Sequence, residues 1–336
     1  MENKKILILK NDRAGDFISS VRLISELKKN DNHLSIYLSP LNYNFKFLVS
    51  KCNYKKINYN LNIFDKFKIF IDIFRNNYDE IYILSPKNFY FFLPIFFRKI
   101  KFFAIVINGK KRNRPIFFLR RFIYKTSIIY RNKINKQNII QSNLNLINRK
   151  STFNSESLNL NKSDANYFQY ITNNYLYFQF KKKFFEDLNW GIKEFQILIS
   201  FLNSKYKTVV FSSDIEDNEY DKYFSNVFSS INFENNYNYE KKKEEHIIYL
   251  KKIDPKNLFL VIKNANKILG PHGLMTQISY LLNKKSINLF NFKINNVSQY
   301  HHEKISFSEW YSNMELKFIF LNNDIGKSLR KISKFI

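Results

Sequence analysis

The chain has 336 residues, 45% of them hydrophobic and 18% aromatic with 36 Phe and 22 Tyr, enough for a sizeable core but too long for a single comfortable one, so two lobes of roughly 150 residues are expected. Lys and Arg number 55 against 28 acidic residues, a formal charge of +27; because they are spread along the chain rather than gathered in one tail, a nucleic-acid partner is disfavoured, while an anionic membrane surface, a phosphate-bearing substrate, or the Lys, Asn, Ile and Phe bias of an AT-rich coding sequence all fit. A single cysteine, Cys52, excludes a disulfide framework within the chain and points to a reducing cytosol.

The opening MENKKILILKND holds only a four-residue apolar run and does not read as a signal peptide. Lys5 to Leu9 reads as a short buried strand, Asn11 to Gly15 as a loop, and Phe17 to Lys28 as a helix with Val21, Ile24 and Leu27 on one face. Leu34 to Leu38, Tyr78 to Leu84 and Lys101 to Ile107 read as further strands, the last ending in a turn at Asn108-Gly109. Asn60 to Ile73 is compositionally biased without forming a domain. Asn88 to Phe97 is uncharged, but Arg98, Lys99 and Lys101 stop it far short of the about 20 residues a membrane span needs. KNFYFFLPIFFRKIKFF and RNRPIFFLRRF mix rings with cations, a pattern open to peripheral membrane contact or to core packing with the charges in water.

Residues 130–165 are rich in Asn, Lys, Ser and Gln and read as a surface segment and linker, placing one lobe at 1–165 and a second at 166–336. In the second lobe, Asn174 to Phe180 reads as a strand and Lys193 to Leu202 as a helix. Thr208 to Phe211 is a strand followed by a polar Ser212-Ser213-Asp214 loop, and His246 to Leu250 is another strand. Asn257 to Ala265 reads as a helix with Leu258, Val261 and Ile262 inward. Lys267 to Leu269 then feeds Gly270-Pro271-His272-Gly273, Leu274 to Leu282 is helical, and Ser286 to Phe290 closes the pattern. Strands alternating with helices argue for parallel α/β sheets.

Two strand–loop–helix junctions stand out, because ligands of open parallel sheets bind at the carboxyl ends of strands and helix N-termini offer N–H groups to anions. In Asn11-Asp12-Arg13-Ala14-Gly15-Asp16, Gly15 permits a tight reversal, and Asp16 on local sequence alone reads first as an N-cap. In Gly270-Pro271-His272-Gly273-Leu274-Met275-Thr276, two glycines flank a rigid pair ahead of a helix; this suits a diphosphate, with His272 donating to phosphate or sugar, and the plainer reading is a turn with a solvent-facing His. His301-His302 beside Glu303 is a weak metal pattern, since adjacent side chains diverge on regular structure; Trp190 and Trp310 read as packing residues, with Trp310 also open to stacking on a base.

Four stretches together resemble the ADP-heptose:lipopolysaccharide heptosyltransferases, glycosyltransferase family 9. They are KKILILKNDRAGDFISSVRLISELKK, YDEIYILSPKNFYFFLPIFFRKIKFFAIVING, YFQFKKKFFEDLNWGIKEFQILISFL and NLFLVIKNANKILGPHGLMTQISYLLNKKSINLF. The resemblance implies a GT-B fold, two Rossmann-like parallel-sheet lobes facing across a cleft, with acceptor bound by the first and nucleotide-sugar donor by the second. It places the catalytic base on Asp16, a donor-phosphate contact among Lys181, Lys182 and Lys183, and the donor motif's central glycine on Gly273; beside Asp16, Asp12, Arg13 and Gly15 read as acceptor contacts, the plainer reading of Arg13 being a surface charge. Ser212 and the run Gly270, Pro271, His272, Gly273, Leu274, Met275 and Thr276 complete the implied donor site. The family's Asp-Ser/Thr-Gly is here Pro271-His272-Gly273, and its His three residues further on is Thr276. The donor contacts are therefore altered and the sugar need not be heptose. Gly-Pro-His-Gly also resembles the donor loop of family 61 transferases.

The reaction this resemblance implies is an inverting, metal-independent transfer of a heptose or related sugar from a nucleotide diphosphate such as ADP-heptose to a lipopolysaccharide or other cell-surface glycan. No Asp-x-Asp string, the usual metal-holding pair under a diphosphate, occurs in the chain, and no cofactor is implied. A cytoplasmic enzyme is expected, peripheral at the inner face of the inner membrane. A non-catalytic scaffold of the same fold and an RNA- or anionic-polymer-binding protein are the competing readings.

Overall fold

The computed structural model describes residues 3–29, 31–108, 119–130, 139–149, 158, 160, 166–213, 219–235, 237–242, 244–291 and 316–336. They divide into two compact units, one within Met1–Leu158 and the other within Asn159–Lys304 and Met314–Ile336.

In the first unit the strands are β1 (Lys5–Lys10), β2 (His33–Leu38), β3 (Asn53–Lys56), β4 (Glu80–Ile83), β5 (Lys101–Asn108) and β6 (Lys125–Tyr130). They lie in the order β3-β2-β1-β4-β5-β6, every neighbouring pair parallel. β1 is buried at every position after Lys5, and β4 throughout. Strands buried along their length in this way are stable only where helices cover both faces of a sheet. The order reverses between β1 and β4: the chain leaves β1 for β2 on one side and β4 for β5 on the other. A crevice at that point is the standard ligand position of an open parallel sheet.

The first helix, Ala14–Lys28, starts three residues earlier than its apolar spacing suggests, and Val21, Ile24 and Leu27 are buried as expected. It is also buried on much of its remaining surface, because the helix Ile139–Leu144 packs on it. There Asn143 Nδ2 donates to the Ser19 carbonyl at 3.0 Å, and Arg149 reaches Glu26 at 2.7 Å. The expectation of a linker across 130–165 is therefore wrong for 139–149. Three apolar side chains, Ile140, Leu144 and Leu146, are enough to seat this polar segment. Ile63–Asn76, within what the sequence marks only as a biased stretch, is a helix opened by a capping box in which Asn62 and Asp65 satisfy each other's backbone N–H.

The second unit holds β7 (Leu176–Phe180), β8 (Val209–Ser213), β9 (Phe228–Asn232), β10 (Asn238–Glu240), β11 (Glu244–Lys251), β12 (Lys267–Pro271), β13 (Ser286–Asn291) and β14 (Leu316–Leu321). Their order is β10-β9-β11-β8-β7-β12-β13-β14, parallel except for β10 against β9. The run β11-β8-β7-β12-β13-β14 repeats the topology of the first sheet, with β9 and β10 added at one edge. The reversal here falls between β7 and β12. Ser212 and Ser213, expected in a loop, belong to β8.

Part of the aromatic excess packs in this unit's core, where Phe178, Phe180, Phe185, Phe195, Phe211 and Phe224 are fully buried. Phe195 and Phe224 lie 4.7 Å apart between centroids, and Phe211 meets Phe224 edge-on at 88°. Such tilted and edge-to-face pairs let the positive rim of one ring meet the negative face of another.

Candidate functional site

The crevice of the second sheet is bounded by the residues just past β7 and β12. Lys181 is the first residue beyond β7, and its ammonium donates to the His272 carbonyl at 3.1 Å. Gly273 comes next with φ +152° and ψ −132°, a conformation closed to side chains. A Cβ there would also collide with Lys181 Nζ. Gly270 serves a different purpose: a Cβ would sit 2.9 Å from Gln179 Cβ and 3.0 Å from the Gln179 carbonyl, so its absence lets β12 close on β7. The helix Leu274–Leu281 then begins, and its first-turn N–H groups have no partner one turn earlier. A lysine ammonium and a helix N-terminus thus meet at one switch point, an arrangement that attracts anions.

The loop is held from below. Thr276, fully buried, accepts from the Gly273 N–H at 3.2 Å and donates to Asn288 Oδ1. With that proton committed, the His272 Nδ1, 3.3 Å from the Thr276 hydroxyl, is assigned as the protonated nitrogen. Burial, helped by the nearby Lys181 charge and opposed by a hydrogen bond to Asn288, pulls the His272 pKa down to about 4. The ring, stacked on Phe290 at 5.0 Å, is therefore neutral at pH 7. It is not the solvent-facing turn His of the plainer sequence reading.

The expected donor residues therefore separate. His272 and Gly273 form the loop between the last residue of β12, Pro271, and the first of the helix, Leu274, and Lys181 reaches it from the end of β7. Gly270, Met275 and Thr276 lie beneath it and shape it. Ser212 is buried against the Tyr177 hydroxyl at 2.7 Å, one strand away. Lys182 lies 3.6 Å from Glu186 and over the Tyr220 ring, and Lys183 is exposed on the helix Lys182–Asp187. Of the three lysines, Lys181 is the one brought to the loop.

At the crevice of the first sheet, Lys10 ends β1 with its side chain almost wholly buried. It donates to Asp12 at 2.8 Å and to the carbonyl of Leu84, just past β4, at 3.1 Å. Asn11 accepts from the Tyr90 hydroxyl at 2.8 Å and donates to the Asn58 carbonyl at 2.7 Å. Asp12 Oδ1 is buried without a hydrogen-bond partner among the described residues. Lys87 hydrogen-bonds the Tyr59 carbonyl; burial lowers its pKa while the Asp12 charge opposes the fall. None of Lys10, Lys87 or Tyr90 stands out in the sequence. Only the odd lysine closing the apolar run ILIL hints at them.

Arg13, exposed and extended, is the N-cap residue of the first helix, with no side-chain cap bond. Gly15 lies inside the first turn at negative φ, so no tight reversal calls for it. Asp16 is also in that turn, half-buried, and is not the cap. Its backbone carbonyl accepts from Ser19, and a carboxylate here is favoured by the helix dipole. No group of His, Cys, Asp and Glu that could hold a metal ion occurs among the described residues. His301, His302, Glu303, Trp310, Gly109 and Asp214 lie outside them, while Trp190 is a buried packing residue donating to the Asn323 carbonyl at 3.1 Å.

A concavity of about 2070 Å³ opens at the opposite, amino-terminal ends of the first sheet's strands. Its wall carries pairs already satisfied within the protein, Lys4 with Glu80 at 2.5 Å and Arg149 with Glu26 at 2.7 Å. Being at the wrong end of the strands, it is not the candidate site. No helix of the described residues is long and apolar enough to cross a membrane.

No protein-family model and no curated protein matches the sequence. Solved structures do match. A family 9 glycosyl transferase from Veillonella parvula superposes with a TM-score of 0.62 at 13% identity, covering 98% of this chain and 89% of that one. The ADP-heptose lps heptosyltransferase II of E. coli gives 0.61 at 10%, covering 98% of each chain. A UDP-GlcNAc 2-epimerase from Methanocaldococcus jannaschii gives 0.59 at 14%, covering 98% and 92%. These matches and the two parallel-sheet units establish that the chain has the GT-B fold shared by those enzymes.

Proposed function

We infer that the chain is an inverting glycosyltransferase that takes a sugar from a nucleotide-diphosphate donor bound in the second unit. The observation that carries this reading is Lys181 held against the Gly270–Gly273 loop at the β7/β12 switch point, ahead of a helix N-terminus. The acceptor is a hydroxyl of a cell-surface glycan, with lipopolysaccharide as the leading candidate and heptose or a related sugar as the transferred group. Fold similarity to heptosyltransferases supports these finer assignments.

In the reaction, an acceptor hydroxyl oxygen bonds to the anomeric carbon from the face opposite the leaving group. The bond from that carbon to the diphosphate oxygen breaks with its electron pair, which inverts the centre. Asp16 takes the hydroxyl proton, a contribution of roughly 10²- to 10⁴-fold in rate. The diphosphate leaves with its extra charge facing the Lys181 ammonium and the first-turn N–H groups of the helix Leu274–Leu281, fixed donors that need no reorganisation. Neutral His272, with its proton on Nδ1 toward Thr276, accepts from a sugar hydroxyl at Nε2 rather than donating to phosphate. Asp12 and Arg13 orient the acceptor. Turnover is expected to survive a chelator.

The test is calorimetric titration with ADP, UDP and GDP, then product analysis with the matching nucleotide sugars. Lys181→Ala is expected to weaken nucleoside diphosphate binding by about 10- to 100-fold, the worth of a charge-assisted contact. Asp16→Asn is expected to keep that binding and lose turnover. Unchanged binding in Lys181→Ala removes the donor site, and full turnover in Asp16→Asn removes the base. A second reading, epimerisation of a nucleotide sugar, is favoured by the fold shared with the 2-epimerases. It is recognised by a product that keeps its nucleotide and forms without acceptor.

A further inference from the structure

The helix Ile63–Asn76 is apolar on two faces. Ile69 and Ile73 point into the core of the first unit, fully buried. On the other side Ile63, Phe67, Phe70, Ile71 and Phe74 recur at the i, i+4, i+7, i+8, i+11 spacing of a single stripe. Phe64, Phe67 and Phe74 are 79%, 64% and 72% exposed. The stripe continues onto the helix Asn88–Phe96, where Phe96, 65% exposed, meets Phe70 edge-on at 5.7 Å. That second helix carries the aromatic run whose sequence suggests membrane contact, yet Tyr90, Phe91 and Leu93 are buried and only Phe92 and Phe96 face outward. The outward rings of the two helices are concentrated rather than scattered, and concentration is what marks an interaction surface.

The charges around the stripe have one sign. Lys68 and Arg75 are exposed beside it on the helix, and Arg98 and Lys99 are exposed just past Phe96. The two acids of the helix are already engaged: Asp65 closes the capping box, and Asp72 lies 2.6 Å from Lys55. A second copy of this chain would bring these cations against their equals on a protein of formal charge +27. An anionic lipid surface supplies both what the rings and what the cations lack. We propose that the ridge of Phe64, Phe67, Phe74 and Phe96 seats the protein on anionic bilayers, the rings entering the headgroup boundary and Lys68, Arg75, Arg98 and Lys99 meeting lipid phosphates. This stands apart from the transfer reading, because it needs no nucleotide sugar.

Flotation with phosphatidylglycerol/phosphatidylcholine vesicles and with phosphatidylcholine alone tests it, in the absence of nucleotides. The full chain is expected to float with the anionic vesicles. Phe64→Ser/Phe67→Ser/Phe74→Ser should weaken binding tenfold or more at any salt. Lys68→Glu/Arg75→Glu should weaken it several-fold at low salt and little at high salt. Ile197→Ser, at an exposed apolar position of the second unit, should bind as the parent does. Circular dichroism of each variant guards against loss of fold. The proposal is overturned if the parent does not float, or if the triple variant floats equally well. It is also overturned if sedimentation velocity shows a parent dimer that the triple variant turns into a monomer, since the ridge would then belong to a second copy.

Discussion

Gly273 ties backbone geometry to charge placement. Its φ of +152° is costly for any side chain, by roughly 1–3 kcal/mol, and a methyl group would meet Lys181 Nζ as well. Gly273→Ala is therefore expected to lower stability by about that amount and to displace the ammonium from the His272 carbonyl, weakening nucleoside diphosphate binding. Because both effects on binding pass through Lys181, adding Gly273→Ala to Lys181→Ala should cost little further affinity, a non-additivity that titration of the four proteins reads directly. His272 gives a pH signature of its own. With a folded pKa of about 4 against an ordinary 6.5, the unfolded chain binds more protons between those values. Stability is complete above about pH 6.5 and is lost as pH falls toward 4, on the order of 2–3 kcal/mol over the window. Urea midpoints at neutral and acid pH should differ less in His272→Gln than in the parent; an identical acid loss in both proteins removes the assignment.

At the scale of elements, the approach of β12 to β7 depends on a missing side chain. Gly270→Ala would press Cβ to 2.9 Å from Gln179 Cβ and 3.0 Å from a strand carbonyl, neither of which can swing away. A loss of about 1–3 kcal/mol in a urea titration is expected, as for other overpacked sites. Gly326→Ala is the contrast: in the first turn of the helix Ile325–Ile332 its Cβ would meet Asp324 Oδ1 at 3.4 Å, so a neutral effect or a gain up to about 1 kcal/mol is expected. The same junction shows what the sequence discloses. The strand–glycine–helix grammar of 267–282 marks a loop at a strand's carboxyl end, and β1, β2, β5, β7 and β13 are legible as compact apolar runs. β9 is not, because its Ser229 and Ser230 are polar yet buried. β3 is short and half-exposed. Which of three consecutive lysines reaches the loop depends on where β7 stops, one residue before Lys181, and composition does not encode that. The Lys10–Leu84 contact joins residues 74 positions apart, visible only once β1 and β4 are neighbours.

For the whole molecule, the two sheets share one topology, each with its own switch point and its own polar cluster. Lys181 and the 270–276 segment draw their supporting contacts, from Gln179, Asn288 and Phe290, out of the second unit. Donor recognition should therefore survive without the first unit, whereas transfer, which assigns the base to Asp16, should not. Residues 159–336 produced alone are expected to bind the preferred nucleoside diphosphate within about tenfold of the full chain, a penalty of about 1.4 kcal/mol or less. They should show no turnover. The aromatic core around Phe195 and Phe224 gives this piece its own means of folding, which thermal unfolding with and without nucleotide would register as a ligand-dependent midpoint. A folded second unit that ignores every nucleoside diphosphate while the full chain binds one would show that recognition is not contained in the β7/β12 crevice.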